Sequence, residues 1–246
     1  MTEALLAGES WMSLEVELKG RNFIADSTYT EAGDYLIALL ESAGAEVTYQ
    51  PCHVAATEFP RTVEAFQEYD LVVLSDVGAE TLQITQTVAD GTPDVDRLAA
   101  LAQFVHDGGA LGMIGGYMSF AGQGGSARYG ATPVGKVLPV EIARHDDRIE
   151  TPSGALPERT GTWDGADEFP ETWPAILGYN QFVAESDAEV WARVEEDPFL
   201  VVGDEGDGSV FAFASDCAPH WAPMDFLEWD HLPTLWDHLL DRVATT

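Results

Sequence analysis

The sequence predicts an α/β sandwich built on a mostly parallel sheet. Three observations carry that prediction. Short apolar runs alternate with amphipathic segments through the first half of the chain. The runs contain almost no polar residues, as expected of strands covered on both faces. Finally, 46% of the 246 residues are hydrophobic, with 7 Trp and 11 Phe, which supplies a large core and argues against disorder.

The elements follow in order. Ala4-Leu5-Leu6-Ala7 reads as a first buried strand, closed at once by a loop over Gly8-Glu9-Ser10-Trp11. Thr28-x-x-Glu31 has the capping-box spacing. Tyr35, Leu36, Leu39, Leu40 and Ala43 then share one helical face, and Gly44 suits the C′ position. Glu46 to Tyr49 alternates as a second strand. Leu71 to Leu74 is a strongly apolar third, ending at Ser75-Asp76-Val77-Gly78. Pro93 fits N1 of a helix whose inner face is Val95, Leu98, Ala102 and Val105, and Gly108-Gly109 ends it. Ala110 to Ile114 is the next strand and runs into Gly115-Gly116-Tyr117. Ligands of such sheets sit at the carboxyl ends of the strands. Three loops meet there: Glu9 to Trp11, Ser75 to Gly78, and Gly115 to Ser119.

The second half differs. Residues 121–175 are rich in Gly, Pro, Thr and acids, with one expected strand at Val137 to Ile142. This stretch reads as an irregular insertion in a single domain spanning 1–246. Leu200-Val201-Val202 and Val210 to Phe213 flank Asp204-Glu205-Gly206-Asp207-Gly208, a hairpin with a glycine turn. Its second strand leads into Ser215-Asp216-Cys217-Ala218-Pro219-His220-Trp221. A terminal helix follows, striped by Leu232, Leu235, Trp236, Leu239, Leu240 and Val243.

Charge narrows the partners. Lys plus Arg is 11 against 43 Asp plus Glu, a net charge of −32, and the only lysines are Lys19 and Lys136. Nucleic acid and anionic membranes are therefore poor partners, because binding them rests on Lys and Arg. The acid is spread along the whole chain, which points to a surface property. A cytoplasm rich in potassium salt selects for it, since the Debye length falls to roughly 3 Å at 1 M. The alternative is an ordinary acidic protein. No apolar run approaches the roughly 18 residues of a membrane helix, and the N-terminus lacks a signal-peptide pattern. Two cysteines, Cys52 and Cys217, form no disulfide framework and suit a reducing cytoplasm, the expected location.

Chemistry has three candidate places. Met113 to Phe120 resembles a nucleophile elbow, with Tyr117 raised and Gly116 and Ser119 beside it. The other reading is a glycine-rich turn that lets strand and helix pack closely. A free phenol, with a pKa of about 10, is a poor nucleophile at neutral pH. In the second place, Cys217 and His220 lie within one motif. A Cys–His pair makes a thiolate, whereas a lone cysteine is most often a small buried hydrophobe; His220 reads better as a pocket residue. The third place holds Glu9 and Asp76, carboxylates at strand ends, either acid–base groups or solvated acids. Trp11, Trp221 and Trp229 stack on a flat ligand or belong to the core. The six histidines form no H-x-x-x-H or H-E-x-x-H pattern, and His145-Asp146-Asp147 is a weak triplet. Gly122-Gln123-Gly124-Gly125 lacks the lysine of a phosphate loop, so neither metal nor cofactor is expected.

The order of motifs is itself a signature. Its marks are Gly8 to Trp11, Tyr69 to Gly78, Gly108 to Phe120, Leu177-Gly178-Tyr179-Asn180 and Ser215 to Trp221. Over nearly its whole length the sequence resembles a glutamine amidotransferase-like family within the class I glutamine amidotransferase-like superfamily. The resemblance implies a flavodoxin-like three-layer sandwich with an irregular insertion and a C-terminal hairpin. Class I amidotransferases carry a nucleophilic Cys at the elbow and a later His-x-Glu. Here Tyr117 stands at the elbow and no His-x-Glu occurs. Glu9 matches the place where related cysteine hydrolases hold a glutamate.

Three functions follow as expectations. The first is a small-molecule-binding or atypical hydrolase domain using Glu9, Trp11, Asp76, Gly78, Gly116, Tyr117, Ser119, Asn180, His220 and Trp221. Next is a glutamine amidohydrolase with Cys217 as nucleophile. The last is a non-enzymatic scaffold that forms homo-oligomers.

Overall fold

A computed structural model describes residues 1–161 and 163–244. Five strands run parallel: β1 (Thr2–Gly8), β4 (Ala45–Pro51), β5 (Leu71–Ser75), β6 (Ala110–Ile114) and β14 (Gly208–Phe213). Three more extend the sheet, each antiparallel to the strand before it: β13 (Asp197–Glu205), β12 (Glu189–Val194) and β9 (Pro157–Arg159). The order across the sheet is β4-β1-β5-β6-β14-β13-β12-β9. The parallel strands are thus arranged as in flavodoxin-like sheets, with the switch point between β1 and β5. These are the apolar runs read in the sequence, and Leu5, Leu6, Val72, Val73, Leu111 and Phe211 are wholly buried. Gly112 is needed there, because a Cβ on it would lie 2.1 Å from the Phe211 ring.

Helices cover both faces. On one, α1 (Asp34–Ser42) packs on β4 and α9 (Leu232–Val243) on β14, and the two helices touch. All six apolar stripe residues of α9 are buried. The other layer holds α2 (Cys52–Glu58), α3 (Val63–Phe66), α4 (Ala79–Gln83) and α6 (Arg97–His106), with the single turn α5 (Gln86–Ala89) between the last two. Arg97 ties this layer together. Its buried guanidinium donates to the carbonyl oxygens of Ala55, Ala56, Thr81 and Leu82, in the last turns of two short helices.

Four expectations need correction. The loop expected from Gly8 to Trp11 is a single residue, Glu9. Beyond it β2 (Ser10–Lys19) and β3 (Asn22–Glu31) form a ten-residue-per-strand hairpin in unbroken register. Thr28 and Glu31 lie in β3, so they cap no helix; α1 starts after Gly33 with no side-chain cap. The period-2 alternation of Met12, Leu14, Val16 and Leu18 wins over the four-residue capping pattern. Pro93 lies outside α6, whose N-cap is Asp96 accepting from the Leu98 and Ala99 N–H groups, and Val95 is exposed. The strand expected at Val137 to Ile142 splits into α7 (Val134–Val137) and β7 (Val140–Glu141). Pro139, lacking an N–H, separates them.

Within 121–175 the chain also forms β8 (Arg148–Ala155), which pairs with β10 (Ile176–Asn180). β11 (Val183–Ala184) pairs with β7, and the single turn α8 (Met224–Leu227) precedes α9.

Candidate functional site at the strand ends

Three strand ends carry the same device. A small residue closes the run and an acid follows: Gly8-Glu9 after β1, Ser75-Asp76 after β5, and Ser215-Asp216 just beyond β14. Between them β6 ends in Gly115-Gly116. Glu9 and Asp76 both take left-handed backbone, with φ of 45° and 44°. Such angles are uncommon away from glycine and gather at functional sites. Local bonds hold the Glu9 turn. Its N–H donates to the Ser75 carbonyl at 2.9 Å, and its own carbonyl accepts from Ala32 N–H at 2.8 Å and Tyr49 Oη at 3.0 Å. Gly8 allows this approach, since a Cβ there would lie 1.7 Å from the Ser75 oxygen. Gly116 likewise makes room for Asp76, whose Oδ1 would stand 2.7 Å from an added Cβ.

Asp76 and Asp216 raise the pKa of Glu9, and Asp76 raises that of Asp216. Glu9 is buried, and desolvation, then the charges of Asp216 and Asp76, drive its pKa well up. A 2.5 Å hydrogen bond from Ser75 Oγ opposes the shift only in part. Asp216 is pushed up to about 8 by burial and by Asp76, against the N–H groups of Cys217 and Ala218. Asp76 is raised less severely: burial lifts it, while Met118 N–H at 2.6 Å, His220 and Tyr117 N–H favour its charged form. Among the described residues no Lys or Arg pairs with any of the three. Burial and the neighbouring acids therefore favour the protonated form of Glu9 and of Asp216, whereas its N–H donors and His220 favour the charged form of Asp76. A carboxyl group held neutral donates a hydrogen bond or acts as a general acid.

At the elbow, Asp76 has a second consequence. Its carboxylate takes the N–H groups of Met118 and Tyr117, which are the donors an elbow offers to a tetrahedral oxyanion. Tyr117 itself is half-buried. Its hydroxyl donates to Glu150 Oε1 at 3.0 Å and lies 3.5 Å from His220 Nε2. The Arg148 guanidinium sits 4.6 Å from the ring centroid. Trp221 meets the ring edge-on at 5.5 Å and donates through Nε1 to Glu150 Oε2 at 3.2 Å. Burial and Glu150 raise the phenol pKa, so Tyr117 is no phenolate at neutral pH.

The remaining candidate residues divide into supports and outliers. Asn180 is fully buried with both ends engaged, accepting Gly116 N–H at 2.9 Å and donating to Asp147 Oδ1 at 2.9 Å. It braces the elbow from below. Ser119 is also buried, and its Oγ accepts Asp76 N–H at 3.1 Å. Gly78 leads into α4, and a Cβ on it would meet the Met118 methyl at 2.8 Å. Cys217 is buried, and desolvation plus the Asp216 and Glu9 charges hold its thiol protonated. It makes no hydrogen bond to His220, which is exposed and lies against Tyr117. Trp11 stands apart on β2, in a trough of about 400 Å³ with Ser10, Met12, Tyr29, Cys52 and His53. Asp146 is engaged by Arg148, and Asp147 accepts the Ala121 and Gly122 N–H groups, so the His145 triplet does not converge. Among the described residues no group of three or more His, Cys, Asp or Glu is placed to hold a metal ion.

Three participants fall outside the expected set: Ser75, Arg148 and Glu150. Asp216, part of the Cys217–His220 motif in the sequence, repeats the strand-end position of Glu9 and Asp76. Arg148 and Glu150 had no signal, because only the pairing of β8 with β10 brings them over Tyr117.

A cytoplasmic protein from Salmonella typhimurium LT2 is similar over 98% of this chain and 99% of its own, at 38% identity and a TM-score of 0.92. A second cytoplasmic protein from Salmonella typhimurium matches over all of both chains, at 33% identity and a TM-score of 0.93. An exo-beta-1,4-mannosidase from Opitutaceae bacterium strain TAV5 shares the fold alone, at 17% identity and a TM-score of 0.51, over all of this chain and 36% of that one. No curated protein matches the sequence. Among the described residues no helix is long and apolar enough to cross a membrane. The family model described as "Putative glutamine amidotransferase" matches residues 3–245, and the chain belongs to that family.

Proposed function

We propose that the strand-end cleft binds a small polar molecule and acts on it by acid–base chemistry without a covalent intermediate. The observation that carries this reading is the carboxyl cluster of buried Glu9 with half-buried Asp76 and Asp216, left without a Lys or Arg partner. Grouping three acids at one strand-end site, one of them out of water, costs stability, and such groups cluster where function needs perturbed acidity. Three carboxyl groups disfavour an anionic ligand. Two protonated ones suit the carbonyl of an amide or the oxygens of a polyol. Tyr117, His220 and Trp221 form the mouth; Gly116, Ser119, Asn180 and Gly78 shape the turn beneath it.

Glutaminase chemistry through Cys217 has less support. A buried thiol flanked by acids stays protonated, and the thiolate is the nucleophile. The Asp76 carboxylate also fills the donors an oxyanion needs. We read the fold as the class I glutamine amidotransferase-like sandwich, used here without its usual nucleophile, in a salt-rich cytoplasm. The two Salmonella relatives, both named cytoplasmic proteins, support the cytoplasm as the location.

The test is a thermal-shift screen with neutral amides, amines, polyols and nucleotides in molar potassium chloride, beside an assay of ammonia release from glutamine. The expected result is stabilisation by a neutral ligand that Tyr117→Phe and His220→Ala weaken and Cys217→Ser leaves intact. Ammonia release abolished by Cys217→Ser would overturn the reading in favour of the amidohydrolase.

A further inference from the structure

The β2–β3 hairpin is the part of the molecule that its own body does not explain. Every residue from Trp11 to Tyr29 is exposed. Directly opposed residues share a face, and the register pairs Met12 with Tyr29, Leu14 with Ser27, Val16 with Ala25 and Leu18 with Phe23. One face is therefore Met12, Leu14, Val16, Leu18, Phe23 and Tyr29, joined by Ala25 and Ser27, with Ser10 and Glu31 at its root. Those six large side chains are between 43% and 80% exposed. The charges of Glu15, Glu17, Lys19 and Asp26 all fall on the other face. A lone two-stranded hairpin is marginal in water, and an apolar patch of this size on a soluble chain marks an interface.

We infer that this face pairs with the same face of a second copy of the chain, the two hairpins lying antiparallel across a two-fold axis. Three features select that occupant. From Met12 to Tyr29 the face carries no charge in a chain of net charge −32, and its one acid, Glu31 at the root, accepts from Tyr29 Oη, so most of the face is where two copies approach without setting acid against acid. Its exposed apolar area is on the order of 700 Å², near the roughly 800 Å² per partner of a standard interface. And its two ends are complementary. Leu18 and Phe23 project at the tip, while the root holds the trough of Trp11, Met12, Tyr29, Cys52 and His53. Antiparallel placement brings each tip to the other copy's root, so every contact occurs twice, as an isologous interface requires. The trough adjoins the acid cluster. Ser10 follows Glu9, and Cys52 Sγ lies 3.8 Å from the Asp76 carbonyl oxygen. The partner's tip then closes one side of the proposed ligand cleft.

Sedimentation of the full chain across micromolar concentrations, in dilute and in molar potassium chloride, tests the inference. A dimer is expected, tighter in molar salt because acid repulsion is screened. Leu18→Glu with Phe23→Glu should weaken it at least 100-fold while leaving the circular dichroism unchanged, and Glu15→Gln should leave it intact. Phe23→Cys should give a covalent dimer on mild oxidation, through Cys52 of the partner subunit, that Cys52→Ser abolishes. A wild-type monomer at all salt concentrations overturns the inference, as does a double variant that dimerises as tightly as wild type. A monomer that binds zwitterionic vesicles through this face assigns it to lipid instead. A dimer without the disulfide rejects the antiparallel arrangement.

Discussion

Two neighbouring regions break the ordinary partition of polar and apolar groups in opposite directions. At Glu9 the chain buries a carboxyl group among two others. From Trp11 onward it exposes a row of large apolar side chains. One residue separates the two. The sheet beneath keeps the usual rule, with apolar strands sealed between helices. Each exception costs stability that its own surroundings return only in part. The strand-end acids carry that cost in their protonation, which a ligand can use. The hairpin carries it in unburied surface, which a partner can cover.

The largest effect expected is on the acid side, at its backbone. Gly8→Ala sets a Cβ against the Ser75 oxygen at a residue with φ of 124°. The ends of β1 and β5 must then separate, at a cost of about 3 kcal/mol or more. Chemical denaturation would measure it, and a cost under about 1 kcal/mol would show that the two strand ends are not tightly joined.

Asp216→Asn should come next, and its sign depends on pH. The folded pKa near 8 lies above the unfolded value of about 3.9. The native state therefore holds a proton that the unfolded chain releases. Its contribution is complete below about pH 4 and is lost as pH rises toward 8, at up to about 1.4 kcal/mol per unit. The variant should match wild type near pH 4 and exceed it at pH 8 by on the order of 2 kcal/mol or more. Melting curves across that range would reveal equal slopes if the proton is absent.

Smaller effects belong to the hairpin. Leu18→Glu with Phe23→Glu should change the stability of the separated protomer by less than about 0.5 kcal/mol, as surface changes do. A larger loss would mean that the hairpin packs on its own body. The smallest shift is global. Raising potassium chloride from millimolar to molar should lift the melting temperature by screening the acid-rich chain. Insensitivity to salt would remove the salt-rich setting and leave the fold untouched.

How far the sequence reveals each region follows the same contrast. β1, β5, β6, β14 and α9 are legible because buried elements obey simple apolar periodicities. The β2–β3 hairpin has an equally clear alternation, but its apolar row faces away from the body, so nothing in the surrounding core pattern calls for it. Tyr117 and Glu9 are legible as strand-end positions. Asp216 occupies the same kind of place, yet one acid among 43 is hard to single out. Glu150 and Arg148 reach Tyr117 through the long-range pairing of β8 with β10, which no local pattern encodes.

The central claim is that carboxyl groups at the strand ends stay protonated at neutral pH. Carbon NMR titration of the Asp and Glu side chains, in wild type and in Asp216→Asn, tests it directly. The account predicts an aspartate resonance titrating near pH 8 that the variant lacks, together with a glutamate well above the usual range. If every carboxyl group titrates below about pH 5, where ordinary acids do, the cluster is solvated and the proposed site loses its basis.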